Sequence, residues 1–172
     1  MLTSYYSKTK AGTPGAISIS RSMPRWCNGK YPTYKALAPG TWYRSAEVDD
    51  YIPLYMEILQ ALDPQQVHDD LYRIAQENAR SLGLPESEVA KVRPILLCFE
   101  KPSDFCHRRL AANWQESELQ IEVPEGFRNP DGTYTTVPGW EQLQGQQFEG
   151  AIGNDVADQM AQAATQLSLL TL

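Results

Sequence analysis

The residues able to do chemistry in this chain are gathered unevenly. There are three cysteines and two histidines in 172 residues. Two of those cysteines, one of the histidines and two arginines fall between Cys98 and Arg109. In PILLCFEKPSDFCHRRLAANW, Pro94 to Trp114, an apolar run ends in Cys98-Phe99-Glu100. A polar loop follows, and Cys106-His107-Arg108-Arg109 opens a predicted helix. On a strand, residues two apart face the same side, so Cys98 and Glu100 share a face. Glu100 then lies at the carboxyl end of its strand, where open α/β sheets place ligands. The start of the next helix offers unpaired amide N–H groups and partial positive charge, which suit an anion. A thiol in that first turn is acidified by the same field, with His107 and Arg108 adding to it. The stretch therefore supports a nucleophile, Cys106, with His107 and Glu100 as proton-transfer partners, or a phosphate cradle that uses Arg108 and Arg109.

A structural reading stands beside this. Cys106, Leu110 and Trp114 recur at the spacing of an inward helix face. Free cysteine is often a small buried hydrophobe, and Cys98 lies inside an apolar run. Glu100 could serve only to fix Arg108 or Arg21 in a salt bridge. No metal is expected on Cys98, Cys106 and His107, because adjacent helical residues diverge by about 100° and a fourth ligand is not evident. No arginine lies six residues after Cys98 or Cys106, which excludes a tyrosine-phosphatase loop. Glycine-rich phosphate loops, GxSxG and HExxH are absent, and no cofactor is implied.

The string LLCFEKPSDFCHRRLAANW resembles the signature of domain-of-unknown-function family number 488 (DUF488): a strand ending in Cys-x-Glu, then Cys-His-Arg opening a helix. Family members also carry an early strand followed by Arg-x-x-Pro-Arg or a related pattern, and SRSMPRW supplies Arg21, Pro24 and Arg25 here. An aspartate often precedes that first arginine in the family, whereas this chain has Ser20. The resemblance covers about residues 15–125. It implies an α/β domain in which Arg21, Arg25, Glu100, Cys106, His107 and Arg108 approach one another, and it implies no established reaction.

Charge is divided along the chain. Residues 1–45 hold seven cations and no acid, so the other 127 residues carry −13 against a whole-chain −6. Tyr5, Tyr6, Trp26, Tyr31, Tyr34, Trp42 and Tyr43 are interleaved with those cations. Cations beside aromatic rings suit nucleic acid or a nucleotide, with Arg21, Arg25, Arg108 and Arg109 as phosphate contacts. The alternative is a basic segment folded against its own acidic remainder. Functional expectations are thus nucleic-acid or nucleotide binding, a cysteine-dependent small-molecule enzyme, or a non-catalytic interaction protein.

These residues need elements to position them. GAISISR (15–21) reads as a first strand. Residues 22–48 show no steady period. Helices are predicted over about 49–62 and from an Asp63 N-cap with Pro64 to a stop at Gly83. VRPILLCFE (92–100) reads as a strand buried on both faces. A helix from Ser103 or Asp104 to about Ser117, a strand in LQIEVPE and a tight turn at NPDGT complete the series. That order predicts an α/β layered single domain, with a mostly parallel central sheet and flanking helices, over 1–138. Residues 139–172 form a glutamine-rich extension, either a helix or a tail. Its Gln166-Leu167-Ser168-Leu169-Leu170 resembles the bacterial sliding-clamp-binding peptide, so a DNA sliding clamp is an expected partner. No stretch is apolar enough to span a bilayer, and neither a secretory leader nor a CxxC pair is seen. A cytoplasmic protein with free thiols and no membrane partner is expected, its oligomeric state open.

Overall fold

The computed structural model describes residues 1–27 and 29–140. Both helices and strands are present. Three short strands, β1 (Leu2–Tyr5), β2 (Ala16–Ser18) and β3 (Ile95–Cys98), form a parallel sheet in the order β1-β3-β2. The central strand pairs Ile95 with both Leu2 and Ala16, and Leu97 with both Ser4 and Ser18. Helices α1 (Val48–Gln60), α2 (Pro64–Ser81), α3 (Glu86–Val89) and α4 (His107–Leu119) follow in chain order around β3. An antiparallel hairpin, β4 (Gly126–Arg128) with β5 (Tyr134–Thr136), closes the described chain.

Strand alternation sorts the core into two clusters. Ile17 and Leu96 join Tyr55 and Leu59 of α1, Leu71 and Ala75 of α2, and Leu110 and Trp114 of α4. Ile95, Leu97, Leu2 and Ala16 belong to the second cluster, with Tyr6, Cys27 and Tyr31 from loops and a short 3-10 turn. So α1, α2 and α4 cover one face of the sheet, and irregular chain covers the other. Among the described residues, no helix is long and apolar enough to cross a membrane.

The helices follow the sequence rules closely. The Asp63 carboxylate accepts the Gln66 N–H at 2.8 Å as N-cap, Pro64 occupies the first turn, and Gly83 at φ 82° follows the end. Two expectations need correction. LQIEVPE is not a strand, because its main-chain bonds are scattered: at Val123 the Glu116 carboxylate accepts the N–H at 2.9 Å and Arg109 donates to the carbonyl at 2.6 Å, while the Pro124 and Glu125 carbonyls accept the main-chain N–H groups of Thr3 and Val137. Helix α4 starts at His107, later than expected, since Cys106 is extended at φ −154°, ψ 132°. The clamp-like peptide Gln166–Leu170 lies outside the described residues.

Candidate functional site

The carboxyl ends of β2 and β3 lie side by side, held by an Ile19 N–H to Leu97 carbonyl bond of 3.1 Å. The residues that leave those ends therefore meet. Ser20 and Arg21 from β2, and Cys98, Phe99 and Glu100 from β3, line a cavity of about 490 Å³. Cys106 and His107 at the start of α4 complete its floor, and Tyr43, Tyr51 and Phe105 supply aromatic wall. The Tyr51 and Phe105 rings meet edge to face at 5.2 Å. Arg21 is exposed at this cavity, donates to the Pro39 carbonyl at 3.0 Å and sits 6.0 Å from the Tyr43 ring.

Four side chains converge on the floor. The Cys106 thiol donates to Glu100 Oε2 at 2.9 Å, and the Cys98 thiol reaches the same oxygen at 3.1 Å. Cys98 Sγ also lies 3.6 Å from His107 Nδ1, whose opposite nitrogen, Nε2, is 3.2 Å from the Ile19 carbonyl. Both thiols and the imidazole are buried. Burial pushes the Cys106 thiol up, but hydrogen bonding from Cys98, the Arg108 guanidinium and the His107 ring outweigh it and hold the thiol well below its ordinary value. Cys98 moves the other way, raised by burial and then by its acidic neighbours Cys106 and Glu100. Glu100 is raised as well, first by burial and then by Cys106. The Cys106 thiol is thus shifted down while the neighbouring Cys98 thiol and Glu100 carboxyl are shifted up. Opposed shifts of this kind on neighbouring groups are a common feature of functional sites.

The donor atoms of Cys98, Cys106 and His107 all lie within 4.8 Å of one another. The expected divergence of Cys106 and His107 is absent, and the reason is local. Cys106 is extended rather than helical, so the 100° rule for adjacent helical residues does not apply to the pair.

The arginines are placed differently from one another. Arg108 is fully buried, with Nη2 bonded to Glu125 Oε1 at 3.0 Å and Nη1 to the Glu100 carbonyl at 2.8 Å. Arg109 donates to Thr3 Oγ1 at 2.9 Å and to the Val123 carbonyl, and faces Glu116 at 3.6 Å. Both guanidinium groups are committed inside the fold, which corrects the expectation that Arg108 and Arg109 face a phosphate. Arg25 is exposed and does not line the cavity. Of the residues that the resemblance implied would meet, Arg21, Glu100, Cys106 and His107 share the cavity. Arg108 stands behind it, and Arg25 stays outside.

Sequence reasoning missed Tyr51, Phe105, Ser20 and Glu125. The first three neighbour residues or elements already singled out. Glu125 carried a weaker signal: it is the second of two acids in a short apolar stretch, and its side-chain partners Arg108 and Thr3 are over a dozen residues away. No family model matches the chain, and neither a curated protein nor a solved structure is significantly similar to it.

Proposed function

We propose that this cavity is the active site of a cysteine-dependent enzyme acting on a small molecule. The observation that carries the reading is the Cys106 Sγ to Glu100 Oε2 contact of 2.9 Å on the floor of an aromatic-walled cavity. Cys106 is the nucleophile, and Glu100 takes and returns the proton. His107, anchored through Nε2, keeps Nδ1 toward the sulfurs. The start of α4 supplies main-chain N–H groups for negative charge that develops on the attacked group. Tyr51, Phe105 and Phe99 suit a flat apolar portion of the substrate, while Arg21 at the rim suits an anionic one. A nucleotide has both portions. A cavity of this volume is within the usual range for small-ligand sites. The long-polymer reading is weaker, because Arg108 and Arg109 are engaged elsewhere.

The test is alkylation of the full chain by iodoacetamide across pH, under reducing conditions with a chelator present, read at each cysteine by mass spectrometry. Cys106 is expected to react fastest, with an apparent midpoint below the ~8.5 of a free thiol. A Cys106 that reacts no faster than Cys27, or titrates at the free value, overturns the proposal. Protection of Cys106 by a nucleoside monophosphate would assign the substrate class.

A further inference from the structure

We infer that Cys98, Cys106 and His107 form a binding site for a soft divalent cation, zinc above all, with Glu100 closing the fourth position. The inference concerns the same four side chains as the proposed nucleophile, but rests on their convergence and not on the reactivity of Cys106.

The donor atoms lie close enough together to share one ion. With Zn–S of about 2.3 Å and Zn–N of about 2.0–2.1 Å, sulfur and nitrogen ligands sit roughly 3.5–3.6 Å apart. Cys98 Sγ and His107 Nδ1 are 3.6 Å apart. The three donor atoms lie within 4.8 Å of one another, so small rotations of the thiols bring them onto one ion. His107 has the outer contact that such a ligand needs: Nε2 lies 3.2 Å from the Ile19 carbonyl, which calls for a proton there and leaves the Nδ1 lone pair facing the sulfurs. Glu100 Oε2 is 2.9 Å from one sulfur and 3.1 Å from the other. As a fourth ligand it would recede to roughly 3.5 Å from each, a half-ångström shift for a loop side chain that is only half-buried. All four groups line the cavity, which gives the ion a way in. Two thiolates and an imidazole select zinc over magnesium or calcium.

Binding is a simple exchange: one zinc ion enters, both sulfurs bind as thiolates and Glu100 as a carboxylate, and whatever protons these groups still carry leave to solvent. In the loaded state the lone pair of Cys106 is held in a Zn–S bond. Zinc is then a reversible blocker of thiol chemistry, and the metal-free protein is the form that reacts with electrophiles.

The experiment uses the reduced, chelator-treated full chain titrated with Co²⁺. One equivalent is expected to give thiolate-to-cobalt charge-transfer absorption and intense visible bands of tetrahedral cobalt, both erased by zinc. Zinc is also expected to slow alkylation of Cys106 by ~10-fold or more, and chelator to restore it. Cys98→Ser and His107→Gln, each checked for folding by circular dichroism, should weaken cobalt binding by more than the ~10–100-fold that outer-contact changes cost. Cys27→Ser should leave it unchanged. A folded wild-type chain without the thiolate band overturns the inference, as does a band unaltered in Cys98→Ser. The two readings fail separately. A cobalt spectrum with a sluggish metal-free Cys106 removes the nucleophile alone, and fast alkylation that ignores zinc removes the metal site alone.

Discussion

At the scale of single residues, the site places acidic groups where burial works against their ionisation. Glu100 is the clearest instance, because its carboxyl is held above the ordinary range by burial and by Cys106. A carboxyl with a raised folded value binds more protons in the folded chain than in the unfolded one between the two values. Stability from this group is therefore present below the unfolded value of ~4.3 and is lost as pH rises through the folded value. Glu100→Gln, which keeps an acceptor and removes the charge, should raise the urea midpoint at pH 7 and leave it nearly unchanged at pH 4. An equal shift at both pH values would contradict this account. Part of the residue-scale picture was legible beforehand. Cys98 and Glu100 on one strand face, and Cys106 beside a helix start, follow from periodicity alone. The approach of His107 to Cys98 did not, because it depends on the extended backbone of Cys106, which no spacing rule encodes.

At the scale of elements, α4 is fastened to β1 by a buried polar network. Thr3 Oγ1 donates to Glu125 Oε2 at 2.6 Å, Glu125 pairs with Arg108, and Arg109 reaches back to Thr3. Removing one member strands a buried charge. Glu125→Ala should cost about 3–5 kcal/mol in equilibrium unfolding, whereas a loss under 1 kcal/mol would show that Arg108 finds other compensation. The same network explains why β1 escaped notice. MLTSYYSKTK has no apolar run, and Thr3 and Ser4 are buried polar residues in a strand of four. The Thr3 hydroxyl is satisfied by Glu125 and Arg109, over a hundred residues away, and the Ser4 hydroxyl accepts from Thr9 at 3.4 Å. Helices α1 and α2 were legible because their apolar stripes and caps are local. The stretch before β4 was misread because its main-chain bonds are divided between side chains, Glu116 and Arg109, and the distant main chain of Thr3 and Val137, and sequence pattern does not report that choice.

At the scale of the whole molecule, the excess of positive charge in residues 1–45 does not make one face. Arg21 lines the cavity at the ends of β2 and β3, while Lys8 and Lys10 line a separate groove with Arg128. Lys30 and Lys35 donate to main-chain carbonyls at 2.8–2.9 Å. A single-stranded oligonucleotide therefore meets two or three cations at a time. Measured by fluorescence anisotropy, the log–log slope of affinity against salt should be no steeper than roughly −2, at about −0.7 per phosphate contact. A slope near −5 would mean that all seven cations act together and would restore the polymer reading. Both flanking strands of the sheet meet β3 in parallel, each across more than seventy residues, so the cavity exists only once distant chain has been brought together.

The imidazole of His107 hangs from a main-chain oxygen, and this limits what mutation can reach. Every amino acid at position 19 brings a carbonyl with it, so variation there can reshape the surroundings of the ring without cutting its anchor. The orientation of that histidine is written into the peptide backbone, where codon changes cannot erase it.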